Sequence, residues 1–218
     1  MRKLILFSLL SILCLASEVQ AQLQKGTGYL GASISFTGQN GKNDYEPDGE
    51  HKLSTFAVAP TLRFGRFAKD NVMLGIGLTP NFYFLRSKSE FMNTESKTGV
   101  NNFSVTLNPY IRNYKSLSSK WAIFLHSGIN LGYLRLKNSY DDNSKYENGY
   151  TIGVNLTPGI TYWFNPKFSL EADVNVFSFG VNYTNFLNTN AFGISSGIST
   201  SLQQYFGVRA SWYFQKTN

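Results

Sequence analysis

Ile152-Gly153-Val154-Asn155-Leu156-Thr157-Pro158-Gly159-Ile160 sets aliphatic residues and one proline at even positions against small or polar residues at odd ones. A period of two is the side-chain period of a β-strand, whose residues leave alternately to opposite faces. The same pattern recurs seven times. It runs through Leu30–Phe36, Phe56–Phe64, Leu74–Phe84, Phe103–Ile111, Ile123–Tyr133, Leu170–Val176 and Phe206–Phe214. Eight segments of roughly ten residues have the length of tilted strands that cross a bilayer. One face is apolar throughout. The other carries Gly, Asn and Thr with Arg63, Arg112, Glu171, Asp173 and Arg209.

A soluble lipocalin-like barrel also has eight strands, but its apolar face points inward and its charged face outward. Three features favour the membrane arrangement. Connectors alternate in length: 38–52, 86–99, 137–148 and 180–199 are long, whereas 66–71, 114–120 and 165–167 are short. Membrane barrels place long loops outside and short turns in the periplasm. A repeat of 49 residues links Pro60-Thr61-Leu62-Arg63, Pro109-Tyr110-Ile111-Arg112 and Pro158-Gly159-Ile160-Thr161. Its prolines are expected at one height, at bulges, because a closed barrel has no edge strand to house them. Aromatic residues gather at segment ends: Phe67, Tyr114, Trp121, Phe164, Phe168, Trp212 and Phe214 near the short turns, Phe82, Phe84 and Tyr133 nearer the long loops. Two such bands around an aliphatic belt read as interfacial girdles. The expected fold is therefore all-β, an eight-stranded antiparallel transmembrane β-barrel.

Composition agrees. Of 218 residues 15% are charged and 16% aromatic, against roughly 25% charged in a soluble domain. The N-terminus is organised differently. Arg2 and Lys3 precede the apolar run Leu4–Leu15, and Val19-Gln20-Ala21 is a small-x-small cleavage site. This is the layout of a secretory signal peptide, so residues 1–21 are expected to be removed and 22–218 to form the barrel domain. The run is too short for a membrane-spanning anchor, which needs about 20 residues. Leu13 before Cys14 is unsuited to a lipoprotein site. Loss of Arg2, Lys3 and Glu18 leaves 18 basic and 12 acidic residues, and loss of Cys14 leaves no cysteine. An exported chain without disulfides needs another source of stability. Its cations are scattered, which gives no support for nucleic-acid binding.

The turn-flanking units Pro60…Arg66-Phe67-Ala68-Lys69-Asp70-Asn71…Gly75 and Pro158…Phe164-Asn165-Pro166-Lys167-Phe168-Ser169-Leu170-Glu171 resemble the small outer-membrane β-barrel domain family, OmpX/OmpA-like and porin-family, of Gram-negative bacteria, in the style of the Bacteroidota. Trp212-Tyr213-Phe214 resembles the C-terminal strand signal read by the barrel-assembly machinery, although the chain runs on to Asn218. The resemblance implies an outer-membrane location, contact with outer-membrane lipid and insertion by that machinery. It says little of activity.

Chemistry is sparse. The two histidines are His51 and His126. Asp44, Glu46, Asp48 and Glu50 alternate but lack the glycine and distal glutamate of a calcium loop. His126 and Ser127 are adjacent in one strand and leave on opposite faces, which argues against a nucleophilic dyad; a serine from a neighbouring strand stays open. No catalytic residue, metal site or cofactor is expected. The strongest local signal is a lumen charge network of Arg63, Arg112, Glu171, Asp173 and Arg209. Eight strands leave an interior only wide enough for side chains, so these charges are expected to pair as a plug. The expected role is structural or in surface interaction, with an unknown surface or periplasmic partner. The alternatives are a small-solute channel, an accessory barrel of a secretion or envelope-assembly system, and a lipid-modifying enzyme.

Overall fold

The computed structural model describes residues 23–45, 49–91, 94–138, 145–196 and 206–215. Alternation in sequence becomes alternation in exposure. Leu62 and Phe64 are 42% and 49% exposed on the outer surface, while Phe67, of opposite parity, is buried inside. The strands are β1 (Gly28–Tyr45), β2 (Gly49–Lys69), β3 (Val72–Phe91), β4 (Thr94–Ser116), β5 (Trp121–Asn138), β6 (Glu147–Asn165), β7 (Phe168–Val174), β8 (Phe179–Phe186), β9 (Thr189–Ser196) and β10 (Phe206–Phe214). Antiparallel ladders join β1 to β6 in chain order, then β6–β7, β7–β10 and β10–β1, closing a ring of eight. The β8–β9 hairpin continues the wall above β7 by pairing β8 with β6.

Ile34, Leu74, Ile76, Leu107, Ile129, Leu131, Ile152 and Val154 all face outward and are exposed. Stacked Phe56 and Phe84 and the Phe82–Phe103 pair stand at the long-hairpin border of this belt. Exposed Trp121, Phe164, Trp212 and Phe214 stand at the other border.

Several expectations need correction. The first six strands have 18–23 residues, not ten. At about 3.3 Å per residue a 20-residue strand is roughly 65 Å long. Tilted by about 40°, it rises roughly 50 Å, twice the ~25 Å apolar band. Most of connectors 38–52 and 86–99 is thus paired strand, because the cross-strand register continues unbroken from Ala32↔Leu62 to Tyr45↔Gly49 and from Leu78↔Leu107 to Phe91↔Thr94. Connector 180–199 is mostly hairpin, turning at Leu187 and Asn188, both with positive φ. The seventh segment breaks at a 3-10 turn, Asn175–Phe177.

Pro60 and Pro109 are not at bulges. The β2–β3 ladder keeps one register from Val58↔Phe82 to Leu62↔Leu78, skipping Pro60, and β4–β5 keeps one from Leu107↔Leu131 to Tyr110↔Gly128, skipping Pro109. Pro158 falls between the β6–β7 and β6–β8 ladders. Pro60 and Pro109 lack an N–H and each interrupts one ladder without displacing it, whereas at Pro158 the facing chain carries three extra residues between Leu156↔Phe179 and Gly159↔Asp173. Register shifts occur instead beside two short turns, between Phe67 and Lys69 and between Trp163 and Asn165. Finally, Phe67 and Tyr114 are not girdle residues. They share parity with Arg63 and Arg112 and lie buried in the lumen.

Candidate functional site

The short-turn end of the lumen is filled. Phe67, Tyr114, Phe124, Trp163 and Tyr213 make a connected aromatic layer, with centroids 5.5 Å apart for Phe67–Tyr114 and Tyr114–Phe124 and 5.9 Å for Trp163–Tyr213. Residues 23–27 close it from outside: Gly26 N–H donates to the Phe67 carbonyl at 2.8 Å and Asn71 N–H to the Leu23 carbonyl at 2.8 Å. Small residues make room for these rings. A Cβ on Gly159 would collide with the Phe124 ring, and one on Gly31 would stand 2.5 Å from the Tyr29 hydroxyl and 2.7 Å from Arg209 Cδ.

The charges sit on this layer. Arg209 and Glu171 are direct cross-strand partners, as are Gly207 and Asp173. Glu171 is 1% exposed, Arg112 0% and Arg209 2%. Glu171 Oε2 accepts from Arg112 Nη1 at 2.7 Å, Arg209 Nε at 3.1 Å and the Tyr29 hydroxyl at 2.7 Å. Its Oε1 accepts from the Tyr213 and Tyr114 hydroxyls at 3.0 and 3.4 Å. A buried carboxylate is tolerated only when donors occupy its lone pairs and opposite charge is close. Five donors meet that demand here. Arg209 also holds Asp173 with two nitrogens, at 2.8 and 3.3 Å, and Arg63 Nη1 lies 3.5 Å from Asp173 Oδ2. All five residues singled out from the sequence stand in one connected cluster.

His126 extends this cluster toward the long hairpins. Arg112 Nε, which only donates, points at His126 Nδ1 at 3.1 Å. The ring proton therefore sits on Nε2 and donates to Asn108 Oδ1 at 3.1 Å. Asn108 Nδ2 then donates to Asn130 Oδ1 at 2.7 Å. One donor direction thus runs from Arg112 through His126 to the asparagines.

The tyrosines around Glu171 did not figure in the sequence-based network. Parity with Arg112 marks Tyr114 as inward, and Tyr213 alternates with the outward Trp212 and Phe214. Another contact went unread: His51 Nε2 and Ser87 Oγ lie 2.9 Å apart across the β2–β3 hairpin. Among the described residues no carboxylate orients the other ring nitrogen of His51, so the pair lacks the third member of a nucleophilic triad. Among the described residues His126 hydrogen-bonds Arg112 and Asn108 and no serine. No group of three or more potential metal-ligating side chains occurs among the described residues. Glu46 and Asp48 lie outside them, while Asp44 and Glu50 pair with Lys42.

Residues 7–199 match the family described as outer membrane protein beta-barrel domain. No curated protein matches the chain. Similar solved structures include Neisserial surface protein A, at 13% identity over 88% of this chain and 100% of that one, with a TM-score of 0.47. The outer membrane protein OprG from Pseudomonas aeruginosa is 12% identical over 91% and 96%, with a TM-score of 0.40. Ail, the attachment invasion locus protein of Yersinia pestis, is 13% identical over 88% and 100%, with a TM-score of 0.35.

Proposed function

We propose, from the premise that the chain belongs to the outer membrane protein β-barrel domain family, that it works at the cell surface as a non-conducting barrel and not as a channel or an enzyme. Its location is the outer membrane. The reading is carried by the paired extension of β1 to β4 beyond the apolar belt, which forms a charged flange.

The flange is ordered by register. Lys42, Lys52, Lys88 and Lys97 are successive cross-strand partners in one lateral row, and Asp44, Glu50, Glu90 and Glu95 form the next row outward. Like charges directly opposite one another destabilise a sheet. Here each lysine is neutralised by the acidic row: Lys42 bridges Asp44 and Glu50 at 3.1 and 3.2 Å, Lys52 reaches Glu50, Lys88 bridges Glu90 and Glu95 at 3.4 Å, and Lys97 meets Glu95 at 2.6 Å. Such a double band holds the hairpins as extended sheet in water and offers a patterned polar surface to a partner. A channel would need a continuous wet path, and the Glu171 layer with the aromatic rings beneath it supports the opposite arrangement. Purified protein in a planar bilayer is expected to show no stable single-channel steps. Reproducible steps absent from a protein-free control would refute the reading.

A further inference from the structure

On the long-hairpin side of the Glu171 layer the lumen holds a polar cavity of about 370 Å3. Small-molecule sites occupy roughly 300–1,000 Å3. Two lateral rows build its wall. In the lower row Arg63 stands opposite Gly77 and Gly77 opposite Asn108, while Asn130 stands opposite Gly153 and Gly153 opposite Asn182. In the next row Thr79 faces Thr106, and Gly132 faces Thr151. Glycine at 77 keeps the wall thin, since a Cβ there would touch Arg63 Cγ and Asn108 Cβ at 3.5 Å.

Arg63 alone among these wall groups carries a charge, and the cluster beneath does not cancel it. Three guanidinium groups face two carboxylates. Arg112 and Arg209 take Glu171, and Arg209 also takes both oxygens of Asp173. Arg63 Nη1 is buried, stays 3.5 Å from Asp173 Oδ2, and donates a hydrogen bond to no described residue. A cation balanced only in part by Asp173 therefore borders a pocket whose remaining groups are amides, hydroxyls and glycines.

We infer that this pocket binds a small polyhydroxylated carboxylate of the sugar-acid type. The carboxylate meets Arg63 where its side chain, 18% exposed, lines the cavity, a charge-assisted contact that also neutralises the excess cation. The hydroxyls meet Asn130 and Asn182 on the opposite wall. The filled layer below makes the pocket blind, so such a solute is held and does not pass through.

The folded full-length barrel in detergent, titrated with sodium glucuronate at constant ionic strength and followed by NMR chemical shifts, provides the test. Saturable shifts at lumen residues are expected, with glucose at least tenfold weaker. Arg63→Gln should weaken glucuronate by roughly 10- to 100-fold, the value of a charged hydrogen bond. Asn182→Leu, on the opposite wall, serves if Arg63→Gln does not fold, and should weaken both solutes. Lys97→Gln in the flange should change neither. Absence of saturation, equal affinity for glucose, or glucuronate binding unaffected by the lumen variants would overturn the inference. Channel steps in a bilayer would refute the proposed non-conducting role and the blindness of the pocket but not the binding; absent binding would overturn this inference and leave the proposed role standing.

Discussion

Replacing Glu171 by glutamine keeps the side-chain shape and removes the one carboxylate shared by Arg112 and Arg209. Both guanidinium groups are essentially unexposed, at 0% and 2%. They would then share an enclosed space with only Asp173 beside Arg209 and nothing anionic beside Arg112. Removing one partner of a buried ion pair costs about 3–5 kcal/mol, because the stranded charge cannot be hydrated. Arg112 is stranded outright while Arg209 keeps Asp173 at 2.8 Å, which puts Glu171→Gln within that range. Arg209→Met should cost less. Glu171 keeps Arg112 at 2.7 Å and three tyrosine hydroxyls, while Asp173 keeps Arg63 at 3.5 Å. The double variant Glu171→Gln with Arg209→Met should regain only part of the loss, since Arg112 is still unpaired. Adding Arg112→Met should regain more. The assay is urea unfolding in detergent, read by tryptophan fluorescence and by the heat-dependent gel shift. The order of midpoints expected is parent, Arg209→Met, then Glu171→Gln, with Lys97→Gln in the flange indistinguishable from the parent. A Glu171→Gln midpoint equal to the parent's would show that this carboxylate is not enclosed between two arginines.

Gly159→Val should cost about 1–3 kcal/mol by forcing the Phe124 ring aside, and Phe124→Leu in the same chain should recover part of it; equal urea midpoints for Gly159→Val and parent would contradict this packing. Epitope tags at Gly49, Thr94, Asn143 or Asn188 should be cut by protease on intact cells and a tag at Ser118 should not; the reverse pattern would invert the orientation, and of these sites only Asn143 lies outside the described residues. Hydrogen bonds from Lys52, then Lys42, hold the Glu50 carboxyl below its ordinary 4.5, and a hydrogen bond from Lys97 does the same for Glu95. Folded values below unfolded ones mean that this contribution is complete above about pH 4.5 and is lost as pH falls through the lower folded values. Pepsin cleavage of the flange should therefore rise below pH 4.5 before the barrel melts, and cleavage independent of pH there would argue against these pairs.

Alternation made the ring readable, because lipid outside and packed polar groups inside impose opposite chemistry on consecutive residues. Glu171 and Arg209 were legible as inward by parity alone. The length of the strands was not. Polar residues such as Lys42, Lys52, Lys88 and Lys97 resemble loop composition, yet above the belt both faces of a strand meet water, so alternation of apolar and polar residues ceases while hydrogen-bonded pairing continues. The inward tyrosines were missed for a related reason. Aromatic residues near a short turn suit both an interfacial girdle and a lumen floor, and only parity separates Tyr114 from Trp121. The excess of one cation could be counted in the sequence, but that Arg63 is the arginine left without a hydrogen-bonded carboxylate depends on which nitrogen meets which oxygen, which no spacing in the chain encodes.

Among the described residues the seam between β1 and β10 is the shortest in the wall, with five residue pairs from Gly28↔Phe214 to Ala32↔Ala210, whereas β1 and β2 share eighteen. It is also the most distant in sequence; the Tyr29–Ser211 hydroxyl contact spans 182 residues. Contacts of that separation form late, since chain entropy must be lost before they contribute. Every other ladder of the ring joins strands that follow directly in the chain or, for β7 and β10, stand on either side of the β8–β9 hairpin. Assembly should therefore proceed as a sheet growing hairpin by hairpin and rolling up, with the first and last strands zipping at the end. The same argument makes this seam the first to part on unfolding. Glu171 lies beside it, bonded to Tyr29 on the first strand and to Arg209 and Tyr213 on the last. The buried carboxylate is thus a latch across the slowest join, and its loss should speed opening of the ring more than it slows formation of the hairpins.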